Sequence, residues 1–509
     1  MAFASGASWR PSTAGDDRIL GLSPVALAAI VQLLVWSVGP GLLFGNLHSD
    51  TLEAAYWGRD WALGYAKHPP VTTWLIDLML RTGLPRIFAL MLLSQMTVLV
   101  ASFFIWKIAR RYASRETATL AVLLYLVSPA STIYAVQLNH NSMLAPFCAG
   151  ALYFGLEYLE ERRWGDAVGL AVAAGLGALT KYEILFVLVA LVVIAIAVER
   201  FRAAFFHPAS YVCIALFLLI LAPHIWWLDA NRWPSLARAM GTEKVSSMAA
   251  LNTSAINGVV GIFTLFAVPI ILLAVTMRWR RSDQQTRGPQ TKLIAVLIAF
   301  VPLAVLVFGS ILTGQVMKPL WVLPLSGSVA LGLAIVFPAG EPGRGMTQRQ
   351  GGLTAIVATL TIFLGFATYL IVAAAIGKPL TAFSANTHML SNEVEAFWAR
   401  RHGGPLQCLV IADRKIGPSG LLWMNERPDY VDFSSPSWAT PRQIGECRHT
   451  GGVAVLAEPS NALDSFPSAC PDTQRLEMPA ALLPGKARWP VELVYIPPEG
   501  ATAGCAQTK

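Results

Sequence analysis

Charged residues are scarce in this sequence. Only 13% of its 509 residues are Asp, Glu, Lys or Arg, whereas 55% are hydrophobic and the mean hydropathy is +0.54. Soluble globular chains carry about 25% charged residues, so the composition excludes a protein that is dissolved entirely in water. Apolar runs of about 20 residues recur from Pro24 to Ile376, and each is long enough to cross ~30 Å of hydrocarbon as a helix. We therefore predict an all-α, polytopic membrane domain.

Three features that would indicate other classes are also missing. The first apolar stretch has no small-residue cleavage site, so we expect a retained helix behind a short tail, 1–23, rather than a signal peptide. The cysteine spacing resembles no zinc site, and the irregular His and carboxylate spacing predicts no metal site, although it does not exclude a divalent ion. The net charge of +8 is spread over short clusters between apolar runs, which argues against nucleic acid as a partner. No cofactor is predicted.

The apolar runs predict about eleven transmembrane helices. Their approximate spans are 24–45, 86–106, 117–134, 143–159, 166–180, 184–198, 209–228, 258–277, 292–312, 319–337 and 353–376. Basic clusters then fall on alternate loops, on the same side as the N-terminal tail: 107–115, 162–163, 200–202, 278–287 and 344–349. By the positive-inside rule that side is the cytoplasm. We expect a cytoplasmic tail, a transmembrane domain at 24–376, and a C-terminal region on the opposite side.

The composition changes after residue 376. The segment 377–509 is rich in Pro, Ser, Asp, Glu and Arg, and three short apolar runs have the character of buried strands: 407–411, 452–456 and 491–496. Because an odd number of crossings places this segment outside, we predict a small extracytoplasmic α/β domain, which is periplasmic in a bacterium. Four of the six cysteines lie there, where an oxidising compartment allows two disulfides in three pairings, with free thiols as the alternative: Cys408, Cys447, Cys470 and Cys505.

Residues able to carry chemistry collect in the loops that this topology places outside. Ionisable groups near the membrane are costly, so those at helix ends normally line a wet cavity or pair with one another. Lys181 and Glu183 interrupt apolar sequence, and the alternative to a functional role is a simple polar hairpin. The candidates are Asp50, Glu53, Lys67, His68, Asn139, Asn141, Lys181, Tyr182, Asn231, Arg232 and Lys318.

The first outer loop, 46–85, is longer than a connection requires. Asp50 and Glu53 have helical spacing, so a short helix would direct both carboxylates toward one site. The following His68-Pro69-Pro70 favours extended backbone before an amphipathic segment, 71–80, which we expect to lie along the membrane surface. A role for Asp50 as a catalytic carboxylate competes with a simpler interpretation, in which it only caps the loop helix.

Five segments spread over residues 50–321 together resemble a known superfamily. They are DTLEAAYW at 50–57, GYAKHPP at 64–70, GLGALTKY at 175–182, APHIWWLDANRWPS at 222–235 and KPLW at 318–321. The chain resembles the C-type (GT-C) integral membrane glycosyltransferases, particularly the bacterial family 39 relatives of protein O-mannosyltransferases and of the lipid A aminoarabinose transferase. The acidic loop followed by a basic-Pro-Pro element is specific in combination, whereas Leu-Thr-Lys alone is weak. The resemblance implies a lipid-phosphate-sugar donor, inversion at the anomeric carbon, and an active site between the first outer loop and the membrane.

The resemblance implies that Asp50 is the acidic loop residue and that Lys67 or His68 faces the donor phosphate. Elementary chemistry agrees, because the acceptor hydroxyl loses a proton as it attacks the anomeric carbon, and a carboxylate can accept that proton. The phosphate leaving group needs nearby positive charge, for which Lys67, His68, Lys181 and Arg232 are the candidates. Glu53 would orient the acceptor or a basic partner.

Two departures from the family pattern concern recognition. Asn139-His140-Asn141 stands where many relatives carry an acidic residue, so acceptor or sugar recognition is expected to differ. The order Lys67-His68 replaces the more usual Glu-Lys, which leaves open which residue faces the phosphate. His224 lies among tryptophans, and we interpret that segment as an interfacial aromatic belt rather than a catalytic element.

The sequence therefore predicts a bacterial inner-membrane glycosyltransferase that acts on the periplasmic side. The expected partners are a polyprenyl-phosphate-sugar donor, membrane lipids, and an envelope acceptor such as lipid A, lipopolysaccharide or another glycan, with a hexosyl or pentosyl group transferred. A protein O-mannosyltransferase and a transporter or flippase for lipid-linked sugars are the alternatives. A transporter predicts polar groups on both faces and internal repeats, and the sequence has neither. A scaffold would leave Asp50 and His68 unexplained.

Overall fold

The computed structural model describes the chain from residue 21 to residue 500 with several gaps. The described ranges are 21–241, 247–277, 288–338, 347–376, 383, 385–412, 419–424, 428–433, 441–456, 461–466, 469, 473–479 and 488–500. Within them lie a helical bundle and a smaller domain with a mixed sheet. The N-terminal tail up to residue 20, the basic cluster at 278–287, part of that at 344–349, and the cysteines Cys470 and Cys505 lie outside the described residues.

The described residues up to 376 include fourteen α-helices. In chain order α1 to α14 are Pro24–Leu43, Ser49–Trp57, Val71–Leu80, Arg86–Tyr112, Arg115–Leu126, His140–Glu161, Trp164–Ala178, Ile184–Ala197, Pro208–Ala230, Pro234–Gly241, Met248–Met277, Pro289–Thr313, Ser326–Val336 and Gln348–Ala375. The 3₁₀ segments between them are Gly58–Asp60, Ala135–Gln137, Glu199–Phe206 and Pro319–Leu325.

A helix is present at each of the eleven predicted spans, but these helices differ in how well they fit a bilayer. Among the described residues, seven helical segments are long and apolar enough to cross a membrane, and an eighth is added if α8 and Glu199–Phe206, bent by 115°, form one span. The others are α5, α6 and α7. At 12 and 15 residues, α5 and α7 are too short to cross ~30 Å at about 1.5 Å per residue. The prediction of a multi-pass helical membrane protein is confirmed, with seven or eight helices meeting these criteria.

The centre of the bundle is formed by α5, which is buried from Thr117 to Leu126. A helix that is apolar on every side must lie inside a larger assembly, and α5 accordingly packs against α4, α13 and α14. Small residues allow helices to approach closely at other places. A Cβ on Gly332 in α13 would lie 2.6 Å from Ala299 of α12, so those two helices meet nearly backbone to backbone.

The two ends of the bundle differ in chemistry. At the end that we call the basic end, Arg111 donates to Glu157 and Glu161 at 2.9 and 2.8 Å, and Arg200 donates to Glu160 at 2.7 Å. These residues lie at the C-terminal ends of α4 and α6 and just after α8. The first loop and the N-terminus of α6 lie at the opposite end, which we call the site end. The separation predicted from the charge pattern is therefore present in the fold.

In the smaller domain, the described segments after residue 376 form three α-helices and five strands. Its helices α15 to α17 are Thr387–Ala399, Ser419–Trp423 and Pro441–Thr450, and its strands β1 to β5 are Cys408–Ile411, Asp429–Asp432, Gly452–Leu456, Thr473–Pro479 and Arg488–Ile496. The sheet order is β2-β1-β3-β5-β4, with β1 parallel to both neighbours and β5 antiparallel to both of its own. The strands expected at 407–411, 452–456 and 491–496 are confirmed as β1, β3 and β5.

Both faces of this sheet carry helices. α15 contacts β3, β4 and β5, whereas α17 contacts β1 and β2, so β1 is buried along its whole length. A disulfide between Cys408 of β1 and Cys447 of α17 ties one of these helices to the sheet. Disulfides and free thiols were both open for the four cysteines of this domain. Cys408 and Cys447 form a disulfide, and the other two lie outside the described residues.

The smaller domain rests on the site end of the bundle. The Trp423 indole donates to the Thr387 hydroxyl at 3.2 Å, and that hydroxyl donates to the Gly45 carbonyl at 2.9 Å. Arg86, the first residue of α4, donates to the carbonyl oxygen of Leu422. The domain is therefore joined by hydrogen bonds to the segments on both sides of the first loop.

Candidate active site

The short helix predicted in the first loop is present as α2. His48 is its N-cap, and its Nδ1 accepts a hydrogen bond from the Asp50 backbone N–H at 3.3 Å. The Thr51 hydroxyl fastens α2 to the segment that precedes α6, donating to the carbonyls of Gln137 and Leu138 at 2.5 and 3.2 Å. Because His48 supplies the cap, the Asp50 carboxylate is not required for that task.

Asp50 lies in the first turn of α2. One carboxylate oxygen is 3.7 Å from His48 Nδ1, and a third of the side chain is exposed. Electrostatic interactions from Asp50, Lys67 and Lys181 all reach the ring of His140. The carboxylate and two cations, from the first loop and from the turn that carries Lys181, therefore lie within electrostatic reach of one imidazole.

Glu53 and Lys67 form an ion pair one turn further along α2. Their side chains are 10% and 8% exposed, and the Lys67 ammonium lies 5.6 Å from the centre of the Trp57 ring. A charge buried this deeply is stable only with a partner, which Glu53 provides. The expectation that Glu53 orients a basic residue agrees with this geometry.

His68 and His140 are stacked, with ring centroids 3.8 Å apart and planes at 27°. His140 is the first residue of α6, just before the span predicted at 143–159, and it is buried. Its Nε2 has no hydrogen-bond partner among the described residues. The imidazole of His140 was not among the site residues predicted from sequence; its signal was its place within Asn139-His140-Asn141.

Lys181 lies in the turn between α7 and α8. Its ammonium donates to the Asn141 side-chain oxygen at 2.6 Å, is paired with Glu183 at 2.6 Å, and lies 5.8 Å from the centre of the Trp321 ring. Because these partners come from α6, from the turn itself and from the 3₁₀ segment Pro319–Leu325, Lys181 does more than close a polar hairpin. It joins the start of α6, its own turn and the segment Pro319–Leu325.

Asn139 serves the local helix. Its Oδ1 accepts from the backbone N–H groups of Asn141 and Ser142 at 3.0 and 3.3 Å, and the Ser142 hydroxyl accepts in return from the Asn139 N–H. This is a complete capping box at the start of α6. The side-chain oxygen of Asn139 is therefore engaged, whereas Asn141 reaches across to Lys181.

Tyr182, next to Lys181, belongs to a buried chain of polar groups. Its hydroxyl lies 2.9 Å from His224 Nε2 and 2.9 Å from Ser235 Oγ, and burial raises the pKa of Tyr182. His224 Nδ1 lies 2.7 Å from the Leu63 carbonyl oxygen of the first loop. The interpretation of His224 as part of an interfacial belt is therefore incomplete, because its ring is buried and both of its nitrogens have partners.

Three predicted residues lie at the surface instead. Asn231 caps the end of α9, where its amide donates to the Trp227 carbonyl at 2.8 Å, and Arg232 follows in a left-handed conformation with φ +62°. Lys318 is the N-cap residue of Pro319–Leu325. All three side chains are exposed, unlike those of Lys67 and Lys181.

The arrangement suits a group transfer to a hydroxyl. A partly exposed carboxylate can accept a proton, and cations held at fixed positions can stabilise charge that develops on a phosphate. Within the described part of the chain, no group of three or more His, Cys, Asp or Glu side chains is placed to hold a metal ion.

Known proteins share sequence with parts of this chain. Residues 67–227 match the family model described as dolichyl-phosphate-mannose-protein mannosyltransferase. The lipid A galacturonosyltransferase RgtD of Rhizobium johnstonii is 27% identical over 181 residues, which are 35% of this chain and 37% of that protein. The lipopolysaccharide core galacturonosyltransferase RgtB of the same organism is 23% identical over 360 residues, which are 68% of this chain and 72% of that protein.

The fold is shared more widely than the sequence. The crystal structure of ArnT from Cupriavidus metallidurans bound to undecaprenyl phosphate superimposes with a TM-score of 0.62 at 14% identity, covering 92% of this chain and 97% of that one. The helical bundle, the smaller domain and the site end are therefore parts of one known architecture. Together with the sequence matches, this fold supports the C-type superfamily of membrane glycosyltransferases, to which the chain is similar in both sequence and structure.

Proposed function

We propose that this glycosyltransferase takes a sugar from a polyprenyl-phosphate donor and attaches it to lipid A or another part of lipopolysaccharide. The observation that carries the proposal is that the segments bearing Asp50, Lys67 and Lys181 meet at the start of α6. There α2 is fastened to the segment before α6, His68 stacks on His140, and Lys181 donates to Asn141. Asp50, the most exposed of these charged groups described above, is the candidate base. Lys67, His68 and Lys181 are the candidates for the donor phosphate. Each lysine is held in place by a glutamate, Lys67 by Glu53 and Lys181 by Glu183.

In the proposed reaction the acceptor hydroxyl oxygen attacks the anomeric carbon from the face opposite the phosphate. The new glycosidic bond forms while the bond between the anomeric carbon and the phosphate oxygen breaks, so the configuration inverts. Asp50 takes the hydroxyl proton, and polyprenyl phosphate leaves with the electron pair of the broken bond. Because the leaving group is already an anion, nearby cations contribute more than a strong acid would.

Substrate classes follow from the relatives. ArnT was crystallised with undecaprenyl phosphate, which supports a polyprenyl-phosphate carrier. RgtD and RgtB are named for transfer of galacturonic acid to lipid A and to the lipopolysaccharide core, so a hexuronic acid is the first sugar to test and lipopolysaccharide the first acceptor.

We also propose that the site end faces the periplasm across the bacterial inner membrane. The arginines of the basic end fit the cytoplasmic side. The Cys408–Cys447 disulfide in the domain on the site end fits an oxidising compartment. With this orientation, residues 1–23 form a cytoplasmic tail, 24–376 the membrane domain with its catalytic loop at 46–85, and 377–509 the periplasmic domain.

Mass spectrometry of envelope glycolipids tests this proposal. Cells that lack the protein should contain lipid A or core oligosaccharide lighter by one sugar residue, and the mass difference identifies that sugar. Expression of the wild-type gene should restore it, and purified protein with donor and acceptor should form the same product. Identical glycolipids in both strains, together with no transfer by the purified protein, would overturn the proposal.

Transfer to a protein is the second candidate, because the family model that matches 67–227 is described as a protein mannosyltransferase. It predicts unchanged glycolipids and a missing glycan on one or more envelope proteins. Glycopeptide analysis of the same two strains separates the two candidates.

A further inference from the structure

His224 has a hydrogen-bonding arrangement that its place in a tryptophan-rich helix does not suggest. It lies near the end of α9, is 3% exposed, and uses both ring nitrogens. A carbonyl oxygen can only accept, so Nδ1 donates to Leu63 at 2.7 Å, which leaves Nε2 to accept from the Tyr182 hydroxyl at 2.9 Å. The Tyr182 oxygen accepts in turn from the Ser235 hydroxyl at 2.9 Å. In the neutral imidazole these bonds select the tautomer that carries its proton on Nδ1.

The surface of α9 around His224 is shaped to receive the backbone of the first loop. The Trp227 ring lies nearly parallel to the imidazole, with centroids 6.2 Å apart and planes at 9°. Gly64, directly after Leu63, faces the same tryptophan, and a Cβ there would lie only 2.3 Å from the Trp227 ring. The loop can approach this closely because residue 64 has no side chain.

The two groups that His224 joins stand next to two of the site cations. Leu63 precedes Lys67 by one short bend of the first loop, and Tyr182 is adjacent to Lys181. A second connection runs between the same regions, where the Val71 N–H donates to the Leu179 carbonyl at 2.9 Å. The first loop is thus held against the α7–α8 turn at two points, one of which is His224.

We propose that His224 is a positioning residue for sugar transfer, which fixes the first loop relative to the turn that carries Lys181. The inference rests on the proposed function and adds to it a residue that touches neither donor nor acceptor, because both of its nitrogens are already occupied. Tyr182 belongs to the same series of hydrogen bonds, because its hydroxyl bonds to His224. A displacement of about 1 Å in a group that orients a reactant costs on the order of 100-fold in rate, so this connection matters even though it is remote from the reacting atoms.

The test compares His224 and Tyr182 variants of the full-length protein in lipid nanodiscs, with undecaprenyl-phosphate-linked sugar and lipid A as substrates. His224→Phe keeps a flat ring beside Trp227 but loses both hydrogen bonds, and kcat should fall roughly 10- to 100-fold while KM for lipid A stays within about threefold. His224→Gln places an amide oxygen near the former Nε2, where it can accept from Tyr182, and should recover part of kcat.

A variant that combines the His224 and Tyr182 substitutions tests whether His224 acts through its hydrogen bond to Tyr182. Tyr182→Phe should lower kcat less than His224→Phe does, and the combined variant should be no slower than His224→Phe alone, because the two residues belong to one connection. Trp226→Phe is the matched control, since Trp226 is 68% exposed on the same helix and should retain wild-type kcat.

A wild-type kcat in His224→Phe would overturn the positioning role, as would fully multiplicative effects of the two substitutions. A glutamine variant no better than the phenylalanine variant would also contradict it. If the wild-type protein transfers no sugar to any acceptor, the proposed function fails, and that result is distinguishable from normal wild-type transfer that is insensitive to His224.

Discussion

Glu53 and Lys67 form a buried ion pair between the loop helix α2 and the Lys-His-Pro-Pro element that follows it. The two residues are 14 positions apart in the first loop, and the Lys67 ammonium lies beside the Trp57 ring. The ion pair therefore fixes the shape of the loop that carries Asp50, and it pairs Lys67 with a carboxylate as Glu183 does Lys181.

Removing one charge of this pair should destabilise the protein strongly. Glu53→Gln leaves the Lys67 ammonium buried without its carboxylate, which typically costs about 3–5 kcal/mol. We expect a clear drop in melting temperature, measured by thermal unfolding in detergent, together with loss of transfer. Glu446→Gln is the control, because it breaks an exposed pair with Arg442 in α17 and should leave the melting temperature unchanged. Equal effects of the two substitutions would contradict a structural role for the buried pair.

Tyr56 connects the same loop helix to the smaller domain and predicts an alkaline transition. Its hydroxyl donates to an Asp429 carboxylate oxygen at 3.0 Å, and burial together with that carboxylate raises the pKa of Tyr56 to about 12. An unfolded tyrosine loses its proton near pH 10, so the folded state retains a proton that the unfolded state loses between about pH 10 and 12. The stability that Tyr56 contributes should therefore fall as the pH rises through that window.

Melting temperatures of wild type and Tyr56→Phe measured from pH 8 to 12 test whether the contribution of Tyr56 to stability falls as the pH rises. The difference between them should shrink above pH 10, since the phenylalanine variant has no proton to lose. Tyr211→Phe, at an exposed position of α9, should follow the wild-type curve. A constant difference between wild type and Tyr56→Phe across the range would contradict the assignment.

The Cys408–Cys447 disulfide closes a loop of 39 residues within the smaller domain. Replacing both cysteines by serine should cost about 2–4 kcal/mol and lower the melting temperature of that domain. Protein isolated from cells and denatured without reductant should resist maleimide labelling at both positions and become labelled after reduction. Cys148 and Cys213 are free thiols and should be labelled in either case. Labelling of Cys408 before reduction would argue against an oxidising compartment.

The sequence predicted the membrane class and the site end because both follow from long-range composition. The scarcity of charge and the alternation of basic loops place Arg111 and Asp50 at opposite ends of the bundle, as the structure does. The α2 helix and the strands β1, β3 and β5 were also predictable, since each has a clear period or a continuous apolar run. The strands β2 and β4 were not, because β4 alternates in burial at the sheet edge and β2 has only four residues.

Other features depend on contacts that no local pattern encodes. The sequences of α5 and α7 predict membrane spans. The helices themselves are short and α5 is fully buried, which distinguishes them from helices that can cross a bilayer alone. His224 acquires its partners from residues 42 and 161 positions away, so its segment reads only as an aromatic belt. Asn231, Arg232 and Lys318 lie in outer loops of the predicted topology, yet their side chains are exposed at the surface.

Conversion of Asp50 to Asn, followed by assays of transfer and of donor binding on the same purified protein, tests the proposed chemistry most directly. The amide keeps the size of the side chain but cannot accept the hydroxyl proton, so the transfer rate should fall about 10²- to 10⁴-fold while the dissociation constant of the polyprenyl-phosphate-sugar stays within a few-fold. Asp60→Asn, at an exposed position of the same loop, should retain wild-type transfer. Wild-type transfer by Asp50→Asn would contradict the central claim that this carboxylate is the base.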